Sequence, residues 1–299
     1  MSMSPKVWFE VRAHNWLQSE SFLMYDKPAA ILHILGSNYV LSATHDNNDI
    51  RDAPKCHPGI RTSFLSWLSS WVKDTKTSVY LTWLFGPAGA GKSTIAHSLA
   101  ESLHYEGFLA GSFFFLRTDL RRNTEKPFVM TITYQICYTV SDMLPYIAKA
   151  VGDNPTICSR PLLTQFETLV IEPLAHITVH EARPMLVVIN GLNECINQKA
   201  RNLILKLVFD ALPRLRASIK FLIVSRPEYN SSGLLWELPS HNVLIMSPIY
   251  RTRLIPPLGH KGVLKRSITT SRDLFPQVCH RSCLRSVYFG MLLSICADI

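Results

Sequence analysis

Apolar positions in this chain alternate between short continuous runs and stripes spaced three and four residues apart. Val79–Phe85, Ser112–Leu116, Met185–Ile189 and Ile219–Val224 are the continuous runs, and Val243–Met246 is a further one. Runs of this length, rich in β-branched and aromatic residues, predict strands buried on both faces. Between them the period changes. Ile60, Phe64, Leu68 and Trp71 share one helical face over Ile60–Asp74, and Ile95, Leu99 and Leu103 share another that Gly107 should stop. Ile204, Leu207, Val208 and Ala211 mark a helix over Asn202–Leu212. Residues 128–180 read as mainly helical, broken at Pro145, Pro155, Pro161 and Pro173. Asn47–Asp49 and Pro54–Gly59 read as loops, and residues 1–30 show no clean period. No internal repeat is present. Strands alternating with helices predict an α/β fold of three layers, a mainly parallel sheet covered by helices on both faces. Ligands of such sheets bind at the carboxyl ends of the strands.

The chemistry falls at those ends. The Val79–Phe85 run leads into Gly86-Pro87-Ala88-Gly89-Ala90-Gly91-Lys92-Ser93, followed by Thr94 and a helix. Gly-x4-Gly-Lys-Ser between a strand and a helix is the phosphate-binding P-loop pattern. Its glycines let successive backbone N–H groups curl around phosphate oxygens, and the helix N-terminus adds partial positive charge. Lys92 should reach the β- and γ-phosphates, and the Ser93 hydroxyl should ligate Mg²⁺. Gly86 to Thr94 are therefore candidate nucleotide-binding residues, and the fold expected is a three-layer P-loop NTPase. Two further groups sit at strand ends: Asn190 to Glu194 after Met185–Ile189, and Arg226 after Ile219–Val224.

Several ordered segments, across about 220 residues, resemble the NACHT-type domains of the STAND class of P-loop NTPases, in the fungal group close to the nephrocystin-like amino-terminal NTPase. They are Pro54–Arg61, Trp83–Ser93, Ser112–Arg117, Gln165-Phe166 with Pro173-Leu174, Leu186–Cys195 and Ser225–Glu228. The resemblance implies that Pro54–Arg61, including Pro58 and Arg61, lies near the adenine. It implies that Arg226 is the sensor arginine facing the γ-phosphate, with Glu194 and Arg226 as the candidate catalytic residues. It also implies ATP or GTP with Mg²⁺, and a nucleotide-dependent switch in self/non-self recognition or signalling that self-associates or pairs with paralogues.

One motif departs from that pattern. The family form is Asp-x-x-Asp-Glu after four apolar residues, whereas this chain has Asn190 and Asn193 at the two aspartate positions and keeps only Glu194. The first carboxylate normally holds Mg²⁺, a hard cation that favours charged oxygens. One unit charge pair at about 4 Å and an effective dielectric near 20 is worth roughly 4 kcal/mol. Phosphates neutralise part of the metal, so the loss is smaller, yet still on the order of 10²-fold in rate. Asn190 is thus a weakened metal position: binding should persist while hydrolysis is slow or absent. Asn190-Gly191 is also a deamidation-prone pair.

Composition narrows the class. The chain has 299 residues, 47% of them hydrophobic, which supports a real core. Its seven cysteines lack framework spacing, and Cys279 and Cys283 form one isolated pair. Free thiols and the absence of an apolar run of 18 or more residues point to a cytoplasmic protein with no transmembrane segment. The net charge of +9 is concentrated at the end, where residues 249–299 hold eight basic side chains against two acidic ones, a net of +6. No basic, aromatic-laced stripe marks the P-loop region, so no specific nucleic-acid partner is expected. Three segments follow: a poorly defined lead-in over 1–50, the NTPase core over 51–248, and a basic tail over 249–299 that is not a folded domain, as in a chain cut off after its core. Two rivals stay open. An ordinary Mg²⁺-dependent NTPase or small-molecule kinase needs a carboxylate at the metal position; a non-catalytic interaction module that associates with full-length paralogues needs none.

Overall fold

The computed structural model describes residues 28–47, 62–177, 183–215, 219–226 and 243–246. Residues 1–27, the segment Pro54–Arg61, the Pro227-Glu228 pair, the Cys279–Cys283 pair and the tail 249–299 lie outside the described residues. Five strands run in chain order as β1 (Leu81–Phe85), β2 (Leu109–Phe114), β3 (Met185–Asn190), β4 (Ile219–Ser225) and β5 (Val243–Met246). They form one sheet in the order β2-β3-β4-β1-β5, and each neighbouring pair is parallel.

Alternation along the strands separates two cores. Val187, Ile189, Phe221, Ile223, Leu81 and Trp83 face one side, while Leu186, Val188, Leu222, Val224 and Leu84 face the other. The second side is covered by helices α2 (Thr62–Lys73) and α3 (Lys92–Tyr105). The first side carries α1 (Pro28–Gly36), α4 (Phe128–Thr139), α5 (Leu144–Asp153), α6 and α7 (Gln198–Leu215). Helix α6 is a continuous run of Leu162–Phe166, a π turn Glu167–Ile171 and Glu172–His176. This is the three-layer α/β arrangement expected, with a parallel sheet between helical layers.

The periodic faces behave as read. Leu68 and Trp71 of α2 are buried, with Phe64 partly so, and Ile95, Leu99 and Leu103 of α3 are buried against the same core. Gly107 stops α3 at a positive φ of 74°. There Phe108 N–H donates to Leu103 O at 2.7 Å and Gly107 N–H to His104 O at 3.0 Å, the paired bonds of a Schellman motif. Ile31, Leu35 and Ala43 bring residues 28–47 into the same core as α4 and α5.

Two expectations need correction. β2 spans Leu109–Phe114 rather than Ser112–Leu116. It begins with Leu109-Ala110-Gly111, and α4 packs directly on Gly111, where an added Cβ would stand 3.4 Å from Gln135 Cβ, an ordinary van der Waals contact. The Gln135 side chain uses that approach. Its Oε1 accepts from Ser112 N–H and its Nε2 donates to Ser112 O, both at 2.9 Å, which satisfies backbone at the sheet edge. Pro173 does not break its helix. Glu172 N–H bonds back to Glu167 O, and this widened turn gives the proline ring the room an α turn denies it. At Pro145 the helical run does break: α4 ends at Thr139, and the proline sits in the first turn of α5, where its missing N–H costs nothing.

Candidate functional site

The loop between β1 and α3 is held by its own backbone. Gly89 and Gly91 adopt φ of 75° and 72°, a left-handed conformation that side chains resist. Ala90 N–H donates to Pro87 O at 3.3 Å, closing the turn. Pro87, Ala88, Gly89 and Ser93 are exposed, Thr94 is half-buried, and Gly86 and Ala90 are buried. Lys92 is only 9% exposed, and its ammonium donates to Gly86 O and Pro87 O, each at 2.8 Å. Desolvation lowers its pKa from the ordinary lysine value, and the nearby Arg226 cation lowers it further. A cation buried at a helix N-terminus, beside a glycine-rich turn, is the kind of arrangement that can hold an anion.

Strand register places the other candidates beside this loop. Val224 of β4 lies between Asn190 of β3 and Leu84 of β1, and Ser225 pairs with Phe85. Trp83 Nε1–H fastens the two strand ends by donating to Ser225 Oγ at 2.9 Å. Asn190 is 5% exposed, and its Oδ1 has no hydrogen-bond partner. A buried, unpaired carbonyl is costly unless something else satisfies it. Gly191 follows at φ 70°, where a Cβ would stand 3.0 Å from Phe115 O, so only glycine fits.

The turn Leu192–Glu194 then brings three groups together. Asn193 Oδ1 accepts from Arg226 N–H at 2.9 Å, and Asn193 Nδ2 donates to Glu194 Oε1 at 3.1 Å. Arg226 Nη2 lies 3.8 Å from the same Glu194 oxygen, with its side chain half-exposed. Arg117, beyond β2, donates to Asn193 O at 3.0 Å. The sequence pointed to Arg117 only as the last residue of the matched segment Ser112–Arg117. Lys92, Asn190, Glu194 and Arg226 therefore share the carboxyl edge of the sheet, whereas Pro58 and Arg61 lie outside the described residues.

The geometry changes the outlook for Asn190-Gly191. Deamidation needs the Gly191 nitrogen to attack the Asn190 side-chain carbonyl. That nitrogen donates to Val224 O at 2.8 Å, and Asn190 is held in β3. Folded protein aged at neutral pH should keep its amide, while unfolded protein should lose it. Peptide mass spectrometry of both samples checks this, and equal deamidation would show that the strand end opens freely.

Among solved structures, PCH-2 of C. elegans matches at 14% identity with a TM-score of 0.33, covering 62% of this chain and 41% of that one. The ORC2 protein of Aeropyrum pernix, in ADPNP–ADP complexes, matches at 14% identity with a TM-score of 0.39, covering 70% of this chain and 52% of that one. The chain thus spans about half the length of these proteins, or less. No curated protein matches it at a significant level. A described family, Nephrocystin 3, N-terminal, matches residues 61–226. That match begins just before α2, takes in the P-loop, Asn190–Glu194 and Arg226, and spans more than half of the sequence: the chain belongs to the Nephrocystin 3, N-terminal family.

Proposed function

We propose that this chain binds a nucleoside triphosphate, ATP or GTP, through Gly86–Thr94, as a NACHT-type switch module of the STAND class with weak or absent hydrolysis. The observation that carries the reading is Lys92, buried over an open loop at the sheet's carboxyl edge beside Arg226. Polyphosphate would exchange two carbonyl partners of Lys92 for anionic oxygens and restore the ammonium's ordinary basicity. The pocket also fits Mg²⁺. The Ser93 hydroxyl is exposed, and the unpartnered Asn190 Oδ1 offers a second neutral oxygen. Mg²⁺ held there would supply positive charge against the phosphates. Ser93 and Asn190 would orient it, while Glu194 and Arg226 would face the terminal phosphate. Because Asn190 adds no charge, the metal depends on the phosphates, which favours binding over turnover. We place this module over residues 51–248 of a cytoplasmic protein that self-associates or pairs with paralogues when loaded, with 249–299 as an appended basic tail.

Calorimetric titration with ATP, ADP and GTP, with and without Mg²⁺, tests the reading; absence of binding by all three would end it. Asn190→Asp should raise steady-state hydrolysis on the order of 10²-fold by restoring a charged metal ligand. A wild-type turnover already near the ordinary enzyme median of about 10 per second would show that the amide costs nothing.

A further inference from the structure

The two asparagines that stand in for carboxylates are not equivalent. Asn190 Oδ1 is buried without a hydrogen-bond partner. Asn193 is 7% exposed and uses both ends of its amide. Its oxygen accepts Arg226 N–H at 2.9 Å, and its nitrogen donates to Glu194 Oε1 at 3.1 Å. The partners fix the amide's orientation, since a backbone N–H can only donate and an ionised carboxylate can only accept. Arg117 holds the same residue through its carbonyl, and Glu194 N–H returns to Gly191 O at 2.6 Å.

We propose that Asn193 is a positioning residue that ties Arg226 to Glu194 and that requires an amide, so a carboxylate there breaks the tie rather than repairing a damaged motif. The inference rests on the nucleotide-site reading for its functional consequence, but the tie itself stands on these contacts. The charged groups facing the amide are Glu194 on its own turn, Arg226 at the end of β4 and Arg117 beyond β2. Arg226 in turn faces Lys92 of the P-loop, whose pKa it helps to lower. With Asn193→Asp, the Arg226 N–H still finds an acceptor. Toward Glu194, however, two carboxylate oxygens would meet at the distance now bridged by a hydrogen. Like charges that close cannot both ionise without penalty. At low pH one carboxyl stays protonated and its O–H replaces the amide donor; at high pH the pair repels and the turn opens.

This predicts a pH-dependent defect that loss of packing would not give. In the ligand-free protein, Asn193→Asp should melt close to wild type at about pH 5 and well below it at about pH 8. Adding Glu194→Gln to that variant reverses donor and acceptor. The double variant should recover most of the loss at about pH 8, and it decides the matter if the single variant fails to fold. ATP affinity should follow the same course, falling about tenfold relative to wild type at the higher pH and less than threefold at the lower. The ratio at each pH cancels titration of the nucleotide itself. A defect equal at both pH values, no defect at either, or a double variant without recovery would overturn the inference. If wild type binds no ATP, the nucleotide reading fails while the melting series still tests the tie.

Discussion

Lys220→Met should destabilise the fold by about 3 kcal/mol, a fall in melting temperature of roughly 6–12 °C for a domain of this size. Lys220 lies in the middle layer of the molecule, 1% exposed, in a strand whose other residues are nearly all apolar. Its ammonium donates to three carbonyls at the end of α2: Trp71 O at 2.6 Å, Val72 O at 3.1 Å and Asp74 O at 2.6 Å. These belong to the last carbonyls of a helix, which no intrahelical N–H reaches. The lysine therefore caps α2 from the sheet, with the positive charge at the negative end of the helix dipole. Methionine keeps the volume and removes the donors, leaving the buried carbonyls of Trp71 and Val72 and the part-buried one of Asp74 to find water or remain unpaired. A variant as stable as wild type in urea denaturation would show that water replaces the ammonium without loss.

The same residue carries a pH signature. Burial pushes its pKa down to about 8 from the ordinary 10.5, against the opposing pull of Asp74. Between those values the unfolded chain binds more protons than the folded one, so Lys220's contribution to stability rises with pH across that window. The difference between wild type and Lys220→Met should widen from about pH 8 to about pH 10, and Lys220→Met should lack that part of the slope.

Lys220 also shows where sequence stopped being legible. Period and run length located β1, β3, β4 and β5 to within about two residues, because strands buried on both faces must be apolar throughout. A lysine inside Ile219–Val224 carried no local signal, since its partners lie in a helix about 150 positions earlier in the chain. β2 was displaced toward Phe113–Leu116 because three phenylalanines outweighed Leu109-Ala110-Gly111, whose small residues matter only once α4 packs on them. Proline was over-read at 173, where a π turn absorbs it, and α7 runs on through Pro213 to Leu215. At the site, the P-loop was legible because its fixed residues are adjacent in sequence. The Asn193 tie was not, because it joins residues 117, 193, 194 and 226 across three strand ends, and only the register of β2, β3 and β4 brings them together. For the same reason Asn193 carried no role of its own in the sequence beyond standing at an aspartate position.

Lys92→Ala should weaken triphosphate binding at least about tenfold, or ~1.4 kcal/mol, and at high pH wild type should drift toward the variant. Lys92 is the only side-chain cation within Gly86–Thr94, and it is already desolvated. The burial that lowers its pKa means that little further desolvation is needed when phosphate arrives, so most of the new Coulomb energy appears as affinity. The sign of the pH effect follows. Bound phosphate raises the lysine's pKa from its lowered free value, so binding takes up a proton wherever the free site has begun to lose one. Affinity should fall as pH rises through that lowered value, and the slope should be absent in Lys92→Ala. Arg226 offers a cross-check, since its cation is the second cause of the lowering. Arg226→Gln should move the start of the alkaline decline to higher pH, even as it removes a charge proposed to face the phosphate. Lys92→Ala also releases Gly86 O and Pro87 O from the ammonium, so the melting temperature of each ligand-free protein has to be measured beside its dissociation constant. A dissociation constant unchanged in a folded Lys92→Ala protein would remove the P-loop from the binding site, and with it the reading of Asn190, Glu194 and Arg226 as its neighbours in function.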